Sequence, residues 1–220
     1  MTAAAHSESY NLRRWQILSL AVGVLAMVAC VLGWVLDPVT MFRSYLASFV
    51  FWVGLALGSL GVLMMQYVTG GRWGRVLQRP LESAALTLPL LAILFIPVLV
   101  GMHGLYPWTN ADVMAADPVL QKKQIYLNVP FFIGRQIAYF VIWIAFAWLL
   151  DRWAKDWRRT EQPRYQWRLE HLSAAGMFVL AATITLAIVD WVMSLEPRWY
   201  STIYAVVYIA GEMLAGFAFA

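Results

Sequence analysis

Apolar residues come in six runs of about twenty, and the stretches between them carry most of the charge. A helix rises ~1.5 Å per residue, so each run can cross the ~30 Å hydrocarbon layer of a bilayer. The runs are approximately 17–36, 45–69, 83–105, 130–150, 172–195 and 201–220. None alternates polar and apolar positions as a barrel strand does. A backbone in lipid must satisfy its own hydrogen bonds, which leaves helices. The pattern predicts an all-α, polytopic membrane helical bundle over residues 17–220, with six transmembrane helices here and a soft tail at 1–16. The chain is 62% hydrophobic with a mean hydropathy of +0.66, in keeping with this class.

Small and polar positions give the runs their character. Gly54-x-x-x-Gly58, followed by Gly61, predicts a face of the second helix that another helix approaches closely. The glycine-rich turn Thr69–Gly74 predicts positive-φ backbone and has no phosphate-loop context. Pro89 and Pro97 predict kinks in the third helix, where Glu82 reads as a start-of-helix acid. The stretch Tyr106–Val129 predicts a segment lying along the surface. Asn128-Val129-Pro130 predicts a capped start to the fourth helix. On the fifth, Ser173, Gly176, Leu180, Thr183, Ala187, Asp190 and Ser194 fall three and four apart and share one face.

Ionisable groups inside these runs are candidate functional residues, because a charge in hydrocarbon costs several kcal/mol unless neutral, paired or wet. Glu212 lies about eleven residues past Ser201, roughly 16 Å along the helix and near the midplane. Ser201, Tyr204 and Tyr208 share its face, making a polar stripe from one surface. A proton station and a packing role are both open for Glu212. Arg135 and Asp190 each lie about five residues from the same surface, ~7.5 Å deep. Matched depth and opposite charge favour an ion pair between two helices, with a proton relay as the alternative. The aromatic face Phe132, Tyr139, Trp143 and Phe146 beside Arg135 favours cation–π packing, with the wall of a quinone-like pocket as the alternative. Proton-path candidates are thus Asp190, Glu212, Tyr204, Tyr208 and Thr183. His103 and Glu196, at the outer boundary, form a candidate polar site there.

Charge sets an orientation. Eleven of the sixteen Lys and Arg residues fall in the tail and in the loops after the second and fourth helices. Four fall on the other side (Arg43, Lys122, Lys123, Arg198), and Arg135 is within a helix. The positive-inside rule then places the N-terminus in the cytoplasm. The net charge of +4 reflects this topology and contact with lipid, and no basic stripe argues for nucleic acid. The single cysteine, Cys30, excludes a disulfide framework and a chain-internal iron–sulfur cluster. The apolar run continues past Cys30 to Leu36, as in a retained helix. His103 and His171 lie at opposite surfaces, so no chain-internal bis-histidine haem is expected. The apolar run reaching Ala220 without an anchor predicts a piece of a longer chain.

Five blocks together carry a resemblance. They are Tyr45-Leu46-Ala47-Ser48-Phe49-Val50-Phe51-Trp52-Val53-Gly54-Leu55-Ala56-Leu57-Gly58-Ser59-Leu60-Gly61, Thr69-Gly70-Gly71-Arg72-Trp73-Gly74, Tyr126-Leu127-Asn128-Val129-Pro130-Phe131-Phe132, Asp190-Trp191-Val192-Met193-Ser194-Leu195-Glu196-Pro197 and Trp199-Tyr200-Ser201-Thr202-Ile203-Tyr204. The chain from about Tyr45 onward resembles the F subunit of alternative complex III, a bacterial quinol:cytochrome c oxidoreductase. That family is itself similar to the membrane subunits of polysulfide reductase-type enzymes. The resemblance implies a ten-helix chain, of which this is the N-terminal part, in the bacterial inner membrane. It implies a subunit of an oxidoreductase, not catalytic alone, with no redox centre of its own and a candidate role in proton conduction. Haem c and iron–sulfur clusters would sit only on partners: a multihaem cytochrome c, an iron–sulfur protein and a homologous quinol-binding membrane subunit. Quinone contact by this chain stays open. The sequence departs from the family at Tyr67, Arg198, Ser173–Gly176 and Glu212, the last standing where Gln is expected. A proton-coupled transporter or channel is the alternative, though the paired repeats of a carrier are not visible. An intramembrane hydrolase would need a nucleophile and base, and no such constellation is present.

Overall fold

The computed structural model describes residues 12–70, 74 and 76–220. Most of the predicted tail and the centre of the 69–74 turn, Gly71–Trp73, therefore lie outside the described residues. Gly70, inside them, has φ of 64°. The described residues form helices and turns, with no strand among them. Five helices or helix series are long and apolar enough to cross a membrane: 14–36, 38–69, 78–100, 129–160 and 163–195.

The chain falls into two compact units, Met1–Met41 and Phe42–Ala220. The first holds α1, Leu12–Leu36, which begins about a turn earlier than the apolar run. Asp37 alone separates it from α2, Pro38–Thr69. The Asp37 carboxylate accepts from the Thr40 N–H at 3.2 Å, and Pro38 needs no N–H at the start of a helix. The second helix thus starts seven residues before its apolar run, because a cap and a proline set its start.

The second unit is built on the rest of α2, where Val53, Ala56, Leu60, Val62 and Met64 are fully buried. The third predicted helix is a broken series: α3 (Gln78–Ala85), α4 (Leu88–Leu94), α5 (Ile96–Val100) and α6 (Met102–Leu105). Pro89 and Pro97 each lack an N–H and crowd the carbonyl four residues back, so the helix breaks just ahead of each, at 86–87 and at Phe95. Nearby carbonyls find other donors: the Tyr45 hydroxyl bonds Leu94 O at 2.7 Å, and the Thr87 hydroxyl bonds Ala84 O at 2.7 Å.

The stretch after α6 carries two short helices, α7 (Ala111–Ala116) and α8 (Pro118–Lys123), capped by Asn110 and Asp117. Asn128 caps α9, accepting from the Phe131 N–H at 3.0 Å. α9 runs Val129–Thr160 and α10 runs Pro163–Trp191, joined only by Glu161 and Gln162. Residues 151–171, predicted as a loop, are mostly helix. The apolar run marks where lipid ends, while the helix continues until Glu161 turns left-handed at φ 51° and Pro163 starts the next.

The last run yields α11, Tyr204–Phe219, a 16-residue apolar helix that begins three residues later than predicted. It crosses α2 at the predicted glycines. A Cβ on Gly58 would lie 1.9 Å from the Glu212 carbonyl oxygen, and one on Gly216 2.8 Å from the Ser59 nitrogen. Apolar surface gives no net drive between helices in lipid, so such backbone approach and dispersion must hold the crossing. Where α2, α9, α10 and the broken third span meet, Phe49, Phe95, Phe140, Trp143 and Trp191 interlock, with neighbouring ring centroids 5.3–6.3 Å apart.

Candidate functional site

Three polar clusters are buried in the second unit. The first lies near the start of α9. Asp190, fully buried, receives Arg135 in a two-pronged pair: Nη2 to Oδ1 at 2.8 Å and Nε to Oδ2 at 2.9 Å. Gln136 Nε2 donates to Oδ2 at 3.2 Å, and the Tyr139 hydroxyl donates to it at 3.1 Å. Gln136 in turn accepts from the Trp191 indole at 2.6 Å. Arg135 donates its third arm to the Tyr126 carbonyl at 3.0 Å. The predicted cation–π partners Phe132, Tyr139, Trp143 and Phe146 are replaced: the guanidinium lies over Tyr126, ahead of α9, at 3.8 Å and over Phe131, in its first turn, at 4.3 Å. Burial, with the Asp190 charge adding, pushes the Tyr126 phenol up to about 12. This cluster is a closed lock: both charges are compensated and stacked, as a desolvated pair needs.

The second cluster lies where α9 and α10 join. Glu82 is buried inside α3, where the sequence suggested a helix-start acid. Its Oε1 accepts from Arg158 at 2.7 Å and from the Tyr67 hydroxyl at 3.2 Å. Beside it a cleft of about 110 Å³ is lined by Gln66, Gln78, Trp157, Gln166 and Glu170 among others. Pockets for drug-sized organic ligands start at roughly 300 Å³, and this cleft is smaller than that. The sequence offered one signal for the Glu82 pair: an acid at the basic end of the bundle needs a cation.

The third cluster is Glu212, 5% exposed at the α2–α11 crossing. Neither carboxyl oxygen has a hydrogen-bond partner among the described residues. Its Oε1 and the Tyr208 hydroxyl both lie 3.1 Å from where a Gly54 Cβ would stand. The glycine makes room for the carboxyl.

The predicted stripe toward Glu212 is only partly assembled. Tyr208 is adjacent, but its hydroxyl donates to the Val50 carbonyl at 2.6 Å. Tyr204 packs edge-on against Trp199, with ring centroids 5.4 Å apart, and Ser201 precedes the helix. Thr183 faces α9, accepting from the Trp143 indole at 2.9 Å and donating to Val179 O at 2.8 Å. It makes no hydrogen bond toward Glu212, because the indole and the α10 backbone use its hydroxyl. His103 and Glu196 are both exposed, and no bond joins them among the described residues. No group of three or more His, Cys, Asp or Glu side chains there could hold a metal ion.

With described residues that are mostly helical, five apolar segments long enough to span and the buried charges among them paired or at a crossing, the chain is a multi-pass membrane protein. No family model and no curated protein matches it.

Proposed function

We propose that the chain is an integral membrane subunit, without a redox centre of its own, of a respiratory quinol:cytochrome c oxidoreductase of the alternative complex III type. One observation carries the proposal. Two blocks that bear the family resemblance, Tyr126–Phe132 and Asp190–Pro197, meet in one buried polar network. Tyr126 and Phe131 stack on Arg135, Asp190 pairs with it, and Trp191 completes the circuit through Gln136. A third block, Tyr45–Gly61, forms the face of α2 that seats α11 and its carboxyl.

In this proposal α11 is the sixth span of a ten-helix chain, in a bacterial inner membrane with the N-terminus cytoplasmic. Haem c and iron–sulfur clusters belong to partner subunits, among them a second membrane subunit that takes quinol. Glu212 serves as a protonatable station: a buried carboxyl with no fixed partner can gain and lose a proton without breaking an ion pair. Asp190, by contrast, is held by Arg135 and serves structure.

Deleting the chain from its native host tests the assignment. Membranes lacking it should lose quinol-dependent cytochrome c reduction, and the restored gene should return it. Undiminished reduction, together with proton-coupled uptake by the purified chain in liposomes, would favour a transporter instead.

A further inference from the structure

At the junction of α9 and α10 several cations have no carboxylate partner. Lys155 pairs with Asp151, and Arg158 pairs with Glu82. Among the described residues Arg164 and Arg168 are in no ion pair; they are held by aromatic rings. The Arg164 guanidinium lies 4.8 Å from the Tyr165 ring centroid and donates to its hydroxyl at 3.2 Å. Arg168 lies 5.6 Å from the Trp153 ring on α9 and 6.0 Å from Tyr165. The two cations are one helical turn apart on the exposed face of α10, fixed between two rings of the kind that settle at a membrane–water boundary.

The same face continues past His171, which packs on Trp167 with ring centroids 4.0 Å apart, into hydrocarbon. Ala175, Phe178 and Val179 follow Arg168 at helical spacing and are exposed, Phe178 by 82%. From Arg168 to Phe178 is ten residues, ~15 Å, or about half of a ~30 Å hydrocarbon layer. One stripe thus presents a double cation at the depth of the head groups and, further along, apolar surface within one leaflet's depth.

We infer that this stripe of α10 holds an anionic phospholipid, its phosphate between Arg164 and Arg168 and its acyl chain along Ala175–Val179. Charge complementarity selects the anionic head group, and the apolar continuation selects a lipid over a free anion. An acidic protein partner would match the cations but would leave the hydrocarbon stripe unexplained. The inference requires only that the chain spans a membrane, so it stands apart from the assignment to a respiratory complex.

Native mass spectrometry of the full chain in detergent, titrated with phosphatidylglycerol or phosphatidylcholine, tests it. Phosphatidylglycerol should bind more tightly, and added salt should weaken it. Arg164→Gln with Arg168→Gln should lower phosphatidylglycerol affinity roughly thirtyfold, each surface cation being worth about a factor of five. The matching Lys pair should retain most of the binding, and Arg43→Gln, away from the stripe, should change nothing. Equal affinity for both lipids, or unchanged affinity in the Gln pair, would overturn the inference. So would inorganic phosphate that protects against thermal unfolding as well as phosphatidylglycerol does. A photo-reactive residue in place of Tyr165 supplies a second readout in native membranes. Cross-linking to lipid supports the site; cross-linking to a protein subunit instead overturns it.

Discussion

Asp190 and Glu212 are both carboxyls buried in one bundle, and their surroundings differ sharply. Four hydrogen bonds from Arg135, Gln136 and Tyr139 converge on Asp190. Removing one partner of such a pair strands the other charge, at a cost of about 3–5 kcal/mol. Asp190→Asn or Arg135→Gln should each destabilise the protein by about that much, and the double variant by less than the sum. A double-mutant cycle on thermal unfolding checks this; additive effects would deny the coupling. Glu212 has no such anchor, so Glu212→Gln should leave stability within about 1 kcal/mol of the parent, since the change conserves shape and satisfies no fewer bonds. In the reconstituted complex the same variant should lower proton release per electron, while unchanged stoichiometry and rate would leave Glu212 a packing residue. Asp117 supplies a pH test outside the bundle. The Val119 N–H, against partial burial and with Arg198 adding, holds its carboxyl below the usual range. A lowered folded value means its contribution is full above the ordinary pKa of about 3.9 and is lost as pH falls through the folded one. The protection of residues 106–129 against hydrogen exchange, relative to the intrinsic rate at each pH, should therefore fall below about pH 4, and Asp117→Asn should flatten that change. The Arg135–Asp190 pair was legible from matched depth and opposite charge. Gln136 and Trp191 were not, although each adjoins a member of the pair, because an amide or indole carries no charge to match.

Helix ends were the least legible elements, for a physical reason. Hydropathy locates where a chain leaves lipid, whereas caps and prolines locate where a helix stops. α9 keeps its backbone bonds for about ten residues past Leu150, and α10 begins about nine before Leu172. In the third span the prolines were visible, but breaks at three places rather than kinks at two required knowing that Gly101 would end a segment as well. The α2–α11 crossing was half legible: Gly54 and Gly58 announced a close approach, but nothing named α11 as the visitor. The crossing makes a graded prediction. Gly58→Ala puts a methyl group into backbone that cannot yield by rotamer change, and should cost roughly 1–3 kcal/mol. Gly54→Ala meets only the Glu212 and Tyr208 side-chain ends at 3.1 Å, and should cost less. Thermal unfolding in one detergent ranks the two; an equal or reversed order would mean the helices do not cross as described.

For the whole molecule, the eleven-to-four imbalance of basic residues predicts that the α9–α10 junction faces the cytoplasm. A cysteine at position 160 should react with membrane-impermeant reagent only after the membrane is opened; labelling of intact cells from outside would reverse the topology. Membrane class was legible from composition alone, because no soluble core needs such runs. A biological setting can be proposed only through the quoted blocks, since polar locks and tight crossings serve many membrane proteins equally. Purification of the tagged chain from its native membrane under mild detergent is the most direct test of the central claim. The account predicts that it brings with it a multihaem cytochrome c, an iron–sulfur protein and a second quinol-binding membrane subunit, in fixed ratio and with quinol:cytochrome c reductase activity in the same fraction. A chain that elutes alone from active membranes, or that carries stoichiometric haem once those partners are stripped away, would contradict it.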